Sequence, residues 1–479
     1  MSDVAALLRK HLPLVVLLVA GVVLRGLAVH AIRPGIWFSD SNAYIRGAAT
    51  GELNPVRVDG YALFVAPFWH AGSAQALIVV QHLIGLALVV GLYALLVRRG
   101  VRPWLATLAV APAALDAYLV AIEHAVMAET VYHAALVGAL VLLLWDDRPG
   151  VAAALAAGLL LGYAAITRSV GVPLTAVVLL YLLARRAGWR QVAAFAGGAV
   201  VVAAAYAITF HAQHGEYGFT KSGGRFLYAR VAPFADCSSV SLPPRLERLC
   251  PDPQVPLATN SYLWGPRSPI ADLPLGSPRP GEFARRIIRE QPLDYLRVIV
   301  RGTLHYFEPG HHTSANDYPI GPWQFPADPS HWGYPGYRGP IRPRGWAAER
   351  SSGGGVEPDE RVGRFSGIPG FSTRTSATLH DYQRVGYTWG PLLAVCLLLV
   401  LAALIARRGT LRLRLDAALL ATLTLVALFV PQAVSVFSYR YGFVAALLLP
   451  PAAALAVTAL RSPRSADATE RPVRTAPSM

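Results

Sequence analysis

The sequence has few charged residues and many apolar ones. Only 15% of its 479 residues are Asp, Glu, Lys or Arg, whereas soluble domains have about 25%. Apolar residues make up 54% of the chain, and they fall in runs of about 16 to 22, the length that crosses a bilayer. This pattern excludes an ordinary soluble multi-domain protein, which would show amphipathic helices and alternating strands. We therefore expect an all-α integral membrane protein.

The sequence also lacks the common nucleotide-binding and hydrolase motifs. There is no GxGxxG after a strand, no Walker motif and no GxSxG. Acidic residues number 28 against 43 basic ones, which leaves a formal charge of +15. In a soluble protein this excess would suggest nucleic acid, but here much of the arginine lies beside apolar runs, where it sets topology. We expect no nucleic-acid partner, and any activated group must arrive from the lipid.

Ten apolar segments have the length of transmembrane helices. They are 12–32, 76–97, 104–120, 130–145, 151–166, 170–184, 191–210, 387–406, 416–435 and 442–460. The chain then divides into helices 1–7 within 1–210, a long polar segment at 211–385, helices 8–10 within 386–461, and a disordered tail at 462–479. A shorter polar loop at 33–75 follows the first span.

Basic residues concentrate in alternate loops. Examples are Arg98, Arg99, Arg185, Arg186, Arg407 and Arg408. The positive-inside rule places such loops in the cytoplasm. Both termini and the tail should then be cytoplasmic, whereas the 33–75 loop, the 122–129 loop and the 211–385 segment should be extracytoplasmic.

The 211–385 segment is rich in Pro, Gly, Trp and Tyr, which predicts turns and an irregular extracytoplasmic domain. One stretch, 281–307, keeps helical spacing of apolar residues, with a break at Pro292. Two of the three cysteines, Cys237 and Cys250, also lie in this segment. An extracytoplasmic location would allow them to form a disulfide, and two free thiols are the alternative.

The 33–75 loop carries two candidate acids, Asp40 and Asp59. Asp40 lies in Ser39-Asp40-Ser41, a sequence that suits a helix N-terminus, so a capping role is one interpretation. The other is a carboxylate at the water boundary that accepts a proton or binds a divalent ion.

The next outward loop carries Glu123, His124 and Glu129, on the same predicted membrane face as Asp40. These side chains could orient a substrate or an ion, although their spacing is not diagnostic of a metal site. The alternative is a polar turn in which Glu129 stabilises a helix N-terminus.

Three arginines, Arg57, Arg168 and Arg440, map to this same face. They could neutralise a phosphate group. The alternative is that each extends from the apolar region to the surface. Arg440, which lies between Tyr439 and Tyr441, could equally be an interfacial anchor.

Several motifs resemble the GT-C glycosyltransferases that use polyprenyl-phosphate sugars, close to the protein O-mannosyltransferases and lipid A aminoarabinose transferases. They are Asp40 in FSDSNAYIRGAATGE, then GYALFVAPFW, Glu129 in EHAVMAETVY, Arg168 in LLGYAAITRSVG, and RYGFVAALLLP near the end. The resemblance covers the first six spans and, loosely, the last. Ser41 follows Asp40 where relatives often have a second acid, and the 211–385 segment does not look like the family's outer domain.

The resemblance implies an inverting enzyme that transfers a hexosyl or pentosyl group from a polyprenyl monophosphate to a cell-envelope glycan, lipid or protein. It would act at the outer face of a bacterial plasma membrane, with two juxtamembrane helices in the 33–75 loop. The implied roles are general base for Asp40, binding of the donor phosphate for Arg57, Arg168 and Arg440, and orientation of the acceptor or a divalent ion for Glu129. Their place in the outward loops makes Glu123, His124 and Asp59 further candidates for this orienting role. The alternative is a transporter or flippase of a lipid-linked or polar solute, which would favour repeated halves and charges near the midplane.

A reporter fused at residue 300 tests the predicted topology. We expect an alkaline phosphatase fusion there to be active and a green fluorescent protein fusion to be dark, because residue 300 should lie outside the cytoplasm. Fusions at residue 408 should give the opposite pair of signals. A cytoplasmic signal at residue 300 would overturn the orientation.

Overall fold

The computed structural model describes residues 2–252, 257–314, 316–329, 364–367 and 370–462, which are mostly helical. In chain order the helices are α1 (Ser2–Ala31), α2 (Ser39–Thr50), α3 (Gly60–His70), α4 (Ala74–Arg98), α5 (Pro103–Leu115), α6 (Ala117–Glu123), α7 (Glu129–Leu144), α8 (Val151–Thr167), α9 (Gly171–Ala184), α10 (Trp189–His214), α11 (Gly223–Val231), α12 (Pro244–Glu247), α13 (Thr259–Trp264), α14 (Arg279–Glu290), α15 (Pro292–Leu304), α16 (Thr373–Tyr382), α17 (Gly390–Ala406), α18 (Leu411–Val434) and α19 (Phe443–Arg461). Two short strands, β1 (Ile32–Arg33) and β2 (Gly370–Phe371), pair antiparallel. This architecture agrees with the all-α class predicted from the sequence.

Within the described ranges, five helices are long and apolar enough to cross a membrane. They are α1 from Arg9 onward, α4, α10, α18, and α19 with the turn before it. The pair α5 and α6 passes the same test only when taken together, and it is bent by 52°. The apolar helices α7, α8, α9 and α17 are shorter. Each of the ten predicted segments coincides with helix, so the structure supports a membrane-embedded helical protein, but it does not confirm ten crossings.

The predicted span 104–120 is interrupted at Asp116. One carboxylate oxygen of Asp116 accepts hydrogen bonds from the backbone N–H groups of Tyr118 and Leu119, at 2.9 and 3.1 Å. The other oxygen accepts one from the backbone N–H of Thr388 at 2.6 Å. An aspartate in this position starts a new helix, because it satisfies N–H groups that have no partner in the first turn. The prediction of one uninterrupted helix was therefore wrong.

The surface of the helical bundle is itself apolar. On α1, Val15, Val16, Val19, Val22 and Val23 are each 50% to 61% exposed. A continuous apolar surface of this kind marks a contact with another apolar phase. On a helix of spanning length, that phase is the lipid.

The 33–75 loop contains two helices, α2 and α3, at the positions expected for the juxtamembrane elements. The start of the loop is attached to two other parts of the chain. Strand β1 pairs with β2, and Ile36 forms a parallel bridge with Ala125. These contacts place α2 beside the loop that connects α6 to α7.

The 211–385 segment is more helical than its composition predicts. It contains α11 to α16, and the expected break at Pro292 separates α14 from α15. A separate hydrophobic cluster, which includes Tyr228, Phe283 and Ile287, forms its core. Cys237 and Cys250 form a disulfide beside this cluster. Residues 330–363 of this segment, and the tail predicted to be disordered except for Ser462, lie outside the described residues.

Helices α8 and α10 approach each other closely through glycine. A Cβ atom at Gly158 would lie 2.1 Å from the carbonyl oxygen of Phe195, and one at Gly198 would lie 2.7 Å from that of Leu155. Small residues at such positions allow helix backbones to pack closely in a membrane. By contrast, a Cβ atom at the neighbouring residue Gly197 would have nothing to contact within 4 Å.

Replacing Gly198 and Gly197 separately tests this packing. Gly198→Val should lower the free energy of unfolding by about 1–3 kcal/mol, because the new side chain forces the two backbones apart. Gly197→Val, on the same helix, should change it by less than about 0.5 kcal/mol. Thermal unfolding of the detergent-solubilised protein, followed by tryptophan fluorescence, measures both. Equal shifts for the two variants would contradict the contact.

Candidate active site

Five charged side chains, each from a break between helices, meet in one cavity of about 700 Å³. Asp40 lies in the first turn of α2, Arg57 in the loop before α3, Glu129 at the start of α7, Arg168 between α8 and α9, and Arg440 in the turn between α18 and α19. We call these five residues the charged cluster. The sequence placed all five on one membrane face, and the structure brings them together.

Asp40 is held by two arginines from distant parts of the chain. Its carboxylate forms an ion pair with Arg57 and accepts a hydrogen bond from Nη1 of Arg440 at 3.1 Å. Burial alone would raise the pKa of Asp40, but the two guanidinium groups outweigh burial and hold the pKa well below its usual range. Asp40 is therefore ionised at neutral pH.

The first turn of α2 explains why the Asp40 side chain is available to the arginines. The hydroxyl of Ser41 accepts a hydrogen bond from the backbone N–H of Phe38 at 2.9 Å and donates one to the carbonyl oxygen of Val126 at 2.8 Å. Ser41 thus bonds the backbone of the N-cap residue, Phe38, and attaches the helix to the loop before α7. The interpretation of Asp40 as the capping residue is wrong.

Glu129 is also surrounded by guanidinium groups. It forms an ion pair with Arg168, and Nε of Arg440 lies 3.7 Å from its Oε1. Arg440 therefore contacts both carboxylates of the charged cluster.

Two aromatic residues that the sequence did not assign to the site line it as well. The guanidinium carbons of Arg168 and Arg440 lie 5.1 and 5.2 Å from the ring centre of Tyr441. Arg440 also lies 4.9 Å from the ring centre of Trp323. Such cation–π contacts hold guanidinium groups in place. The sequence offered a reason to consider Tyr441, because it adjoins Arg440 in Tyr439-Arg440-Tyr441. It offered no reason to consider Trp323, which lies in the distant 211–385 segment.

The rest of the cavity wall is largely apolar. Helix α18 contributes Ala427, Val430, Pro431 and Val434. These residues extend about 10 Å along α18, away from the turn that carries Arg440. Phe226, Leu227 and Leu263 of the 211–385 segment also line the cavity. The cavity thus joins a charged region to an apolar wall along a candidate membrane span.

Glu123 and His124 do not line this cavity. Glu123 receives two hydrogen bonds from Arg25 of α1, at 2.7 and 2.8 Å, and one oxygen lies 3.0 Å from Nδ1 of His82. The rings of His82 and His124 are joined by a 3.0 Å contact between Nε2 and Nδ1. Nε2 of His124 lies 2.8 Å from the carbonyl oxygen of Ile32. The structure therefore separates these two residues from Asp40 and Glu129, and it adds Arg25, which the sequence analysis missed.

Asp59 lies behind α2, outside the cavity, and is 1% exposed. Its carboxylate packs against Gly47, where a Cβ atom would come 2.3 Å from Oδ2. Burial raises the pKa of Asp59 to about 8, although Asn54 and Arg57 act in the opposite direction. Asp59 therefore lies apart from the cavity in which an orienting residue was expected, and its raised pKa favours the protonated form at neutral pH.

A divalent ion does not fit the charged cluster. Both carboxylates are already paired with guanidinium groups, which would repel a cation. Among the residues that the structure describes, no group of three or more His, Cys, Asp or Glu side chains could hold a metal ion.

The pH dependence of stability tests the state of Asp59. A carboxyl whose pKa is raised in the folded protein stabilises it fully below the unfolded pKa, near 4, and this stabilisation is lost as pH rises toward 8. Relative to Asp59→Asn, the wild type should lose about 1.4 kcal/mol per pH unit at most within this window. Melting temperatures of both proteins between pH 5 and pH 9 measure the difference. Parallel pH profiles would show that Asp59 is ionised.

The chain matches no protein-family model, no curated protein and no solved structure with which it was compared. The resemblance to GT-C glycosyltransferases therefore depends on the motifs quoted above. The charged cluster adds a geometric reason to consider Asp40, Glu129 and Arg168 together, because the three motifs that contain them line one cavity.

Proposed function

We propose that the chain is a membrane glycosyltransferase that transfers a sugar from a polyprenyl monophosphate to a cell-envelope acceptor, with inversion at the anomeric carbon. Asp40 is the general base, and Arg57, Arg168 and Arg440 bind the donor phosphate. The observation that carries this proposal is the cavity itself. It places a carboxylate and three guanidinium groups beside an apolar wall formed by a spanning helix.

The charges of the cluster suit a donor with one phosphate. Three guanidinium groups and two carboxylates leave one positive charge uncompensated. A sugar-phosphate diester brings one negative charge and so neutralises the site, whereas a diphosphate-linked sugar would bring a second negative charge. Arginine is well suited to such binding, because its planar donors match phosphate oxygens. The polyprenyl chain would lie against the apolar residues of α18.

In the proposed reaction an acceptor hydroxyl transfers its proton to Asp40 while its oxygen attacks the anomeric carbon. The new carbon–oxygen bond forms as the bond to the phosphate oxygen breaks, and both electrons of that bond stay with the lipid phosphate. The leaving phosphate gains negative charge in the transition state. Guanidinium groups already aimed at this position would stabilise the added charge.

Donor binding would also prepare Asp40 as a base. Without a donor, Arg57 and Arg440 both contact Asp40 and depress its pKa, which makes it a weak proton acceptor. A donor phosphate competes for the same guanidinium groups. As they turn toward the phosphate, the pKa of Asp40 rises, so proton transfer is favoured only when the donor is in place.

The alternative is a transporter or flippase of a lipid-linked or polar solute. It could use the same cavity and the same arginines to hold a lipid phosphate. It would not require a base, and in that case Asp40 would serve only to balance charge. Replacing Asp40 therefore separates the two functions.

Transfer from a panel of radiolabelled polyprenyl-phosphate sugars to cell-envelope fractions tests the proposal, with purified protein in proteoliposomes. Asp40→Asn should lower the transfer rate about 10²- to 10⁴-fold, because the base is lost while the shape is kept. Arg57→Gln should lower it about 10²- to 10³-fold through weaker stabilisation of the leaving phosphate. Asp59→Asn, in the same loop but outside the cavity, is the matched control and should keep the wild-type rate at pH 7.

Transfer by Asp40→Asn at the wild-type rate would show that Asp40 is not the general base. Loss of transfer in Asp59→Asn, in a protein with an unchanged melting temperature, would contradict the separation of the two acids. If no donor in the panel supports transfer by the wild type, while the protein moves a fluorescent polyprenyl phosphate across the bilayer, the flippase is the correct function.

A further inference from the structure

We propose that helix α15 lies in the bilayer interface and attaches the 211–385 segment to the membrane surface that this segment faces. This inference concerns where the segment rests and does not depend on sugar transfer. It follows from the exposed face of α15 and from the way α15 crosses α18.

The exposed face of α15 is a stripe of large apolar side chains. Leu293, Leu296, Val300 and Leu304 are 42% to 74% exposed. At about 100° per residue these four positions fall within a sector of about 80° on the helix. Exposure of such a stripe to water is unfavourable, so we expect another apolar phase to cover it.

The opposite face of α15 packs on one end of spanning helix α18. The hydroxyl of Tyr295 donates a hydrogen bond to the carbonyl oxygen of Ala433 at 2.8 Å. Seven residues later, Gly302 lies so close to Gln432 that a Cβ atom would be 2.4 Å from its Oε1. These two contacts lie about 10 Å apart along α15, and both meet the last turn of α18. Helix α15 crosses the end of the span instead of continuing along it, as a helix on the membrane surface would.

Arg230 of α11 fixes this crossing. Its Nε donates to the carbonyl oxygen of Gln432 at 2.6 Å, and its Nη2 donates to that of Val298 at 3.2 Å. One buried guanidinium thus joins α11, α15 and α18. Because α11 also lines the cavity through Phe226 and Leu227, the position of α15 is coupled to the cavity wall.

Neighbouring residues indicate that lipid is the occupant of the stripe. At the same end of α18, Phe429, which does not line the cavity, is 43% exposed, so the lipid-facing surface of a candidate span continues toward α15. Arg297 and Arg301 flank the stripe on one side, and the side chain of Arg297 is 75% exposed. An apolar stripe bordered by arginine is typical of a helix in the interface, where the cations reach the headgroups.

Site-directed spin labelling of the full-length protein in nanodiscs tests this position. Labels are placed one at a time at Leu293, Leu296, Val300 and Leu304, in a Cys396→Ala background that keeps the Cys237–Cys250 disulfide. Power saturation then compares the accessibility of each label to oxygen, which concentrates in lipid, and to a water-soluble nickel chelate. We expect the oxygen-to-nickel ratio to be several-fold higher on the stripe than at a control label on Arg289, an exposed residue of α14.

A ratio on the stripe equal to that at Arg289 would overturn the proposal, because it would place α15 in water. Labels shielded from both reagents would overturn it as well, since protein would then cover the stripe. Distances between labels on two copies would identify a second chain as that cover. If one labelled variant does not fold, the remaining positions still report, because all four lie on the same stripe.

Discussion

The need to pair charges at the edge of an apolar bundle is the constraint on which the rest of this structure depends. Asp40 and Glu129 are removed from most of the surrounding water, and a carboxylate in that position destabilises the fold unless it is paired. Their partners Arg57, Arg168 and Arg440 come from three other breaks between helices. The ends of the helices around the cavity must therefore lie close enough together for these ion pairs to form. The pairing leaves a surplus of one positive charge in the cavity.

A second paired network fixes the loops that carry the acids. Arg25, Glu123 and His82 join α1, α6 and α4 through hydrogen bonds of 2.7 to 3.0 Å. The carbonyl oxygen of His124 accepts a hydrogen bond from the backbone N–H of Ile36 at 2.8 Å. The polar residues that do not line the cavity thus hold in place the segments on either side of Asp40 and Glu129. Buried charges in a membrane protein can serve position as well as chemistry.

The 211–385 segment contributes residues both to the site and to the main hydrophobic core of the bundle. It contributes Trp323, which packs on Arg440, and helix α11, which forms part of the apolar wall. The first part of the segment has a hydrophobic cluster of its own, beside the disulfide. Contacts between α11, α15 and α18 through Arg230 make its position depend on α18, a candidate membrane span. The shape of the cavity and the position of α15 are therefore linked.

The sequence by itself determined the helical, membrane-embedded character of the chain, because long apolar runs with few charges have few other stable solutions. It also assigned five charged residues of different loops to one membrane face, and these five side chains line one cavity in the structure. It did not separate Glu129 from Glu123 and Asp59, to which it gave the same orienting role, and it missed the break at Asp116. Those distinctions depend on which way a side chain turns and on partners such as Arg25, which lies 98 residues from Glu123. Only the tertiary structure decided them, because a carboxylate becomes a cavity residue or a packing residue according to the cations and backbone groups that folding brings to it.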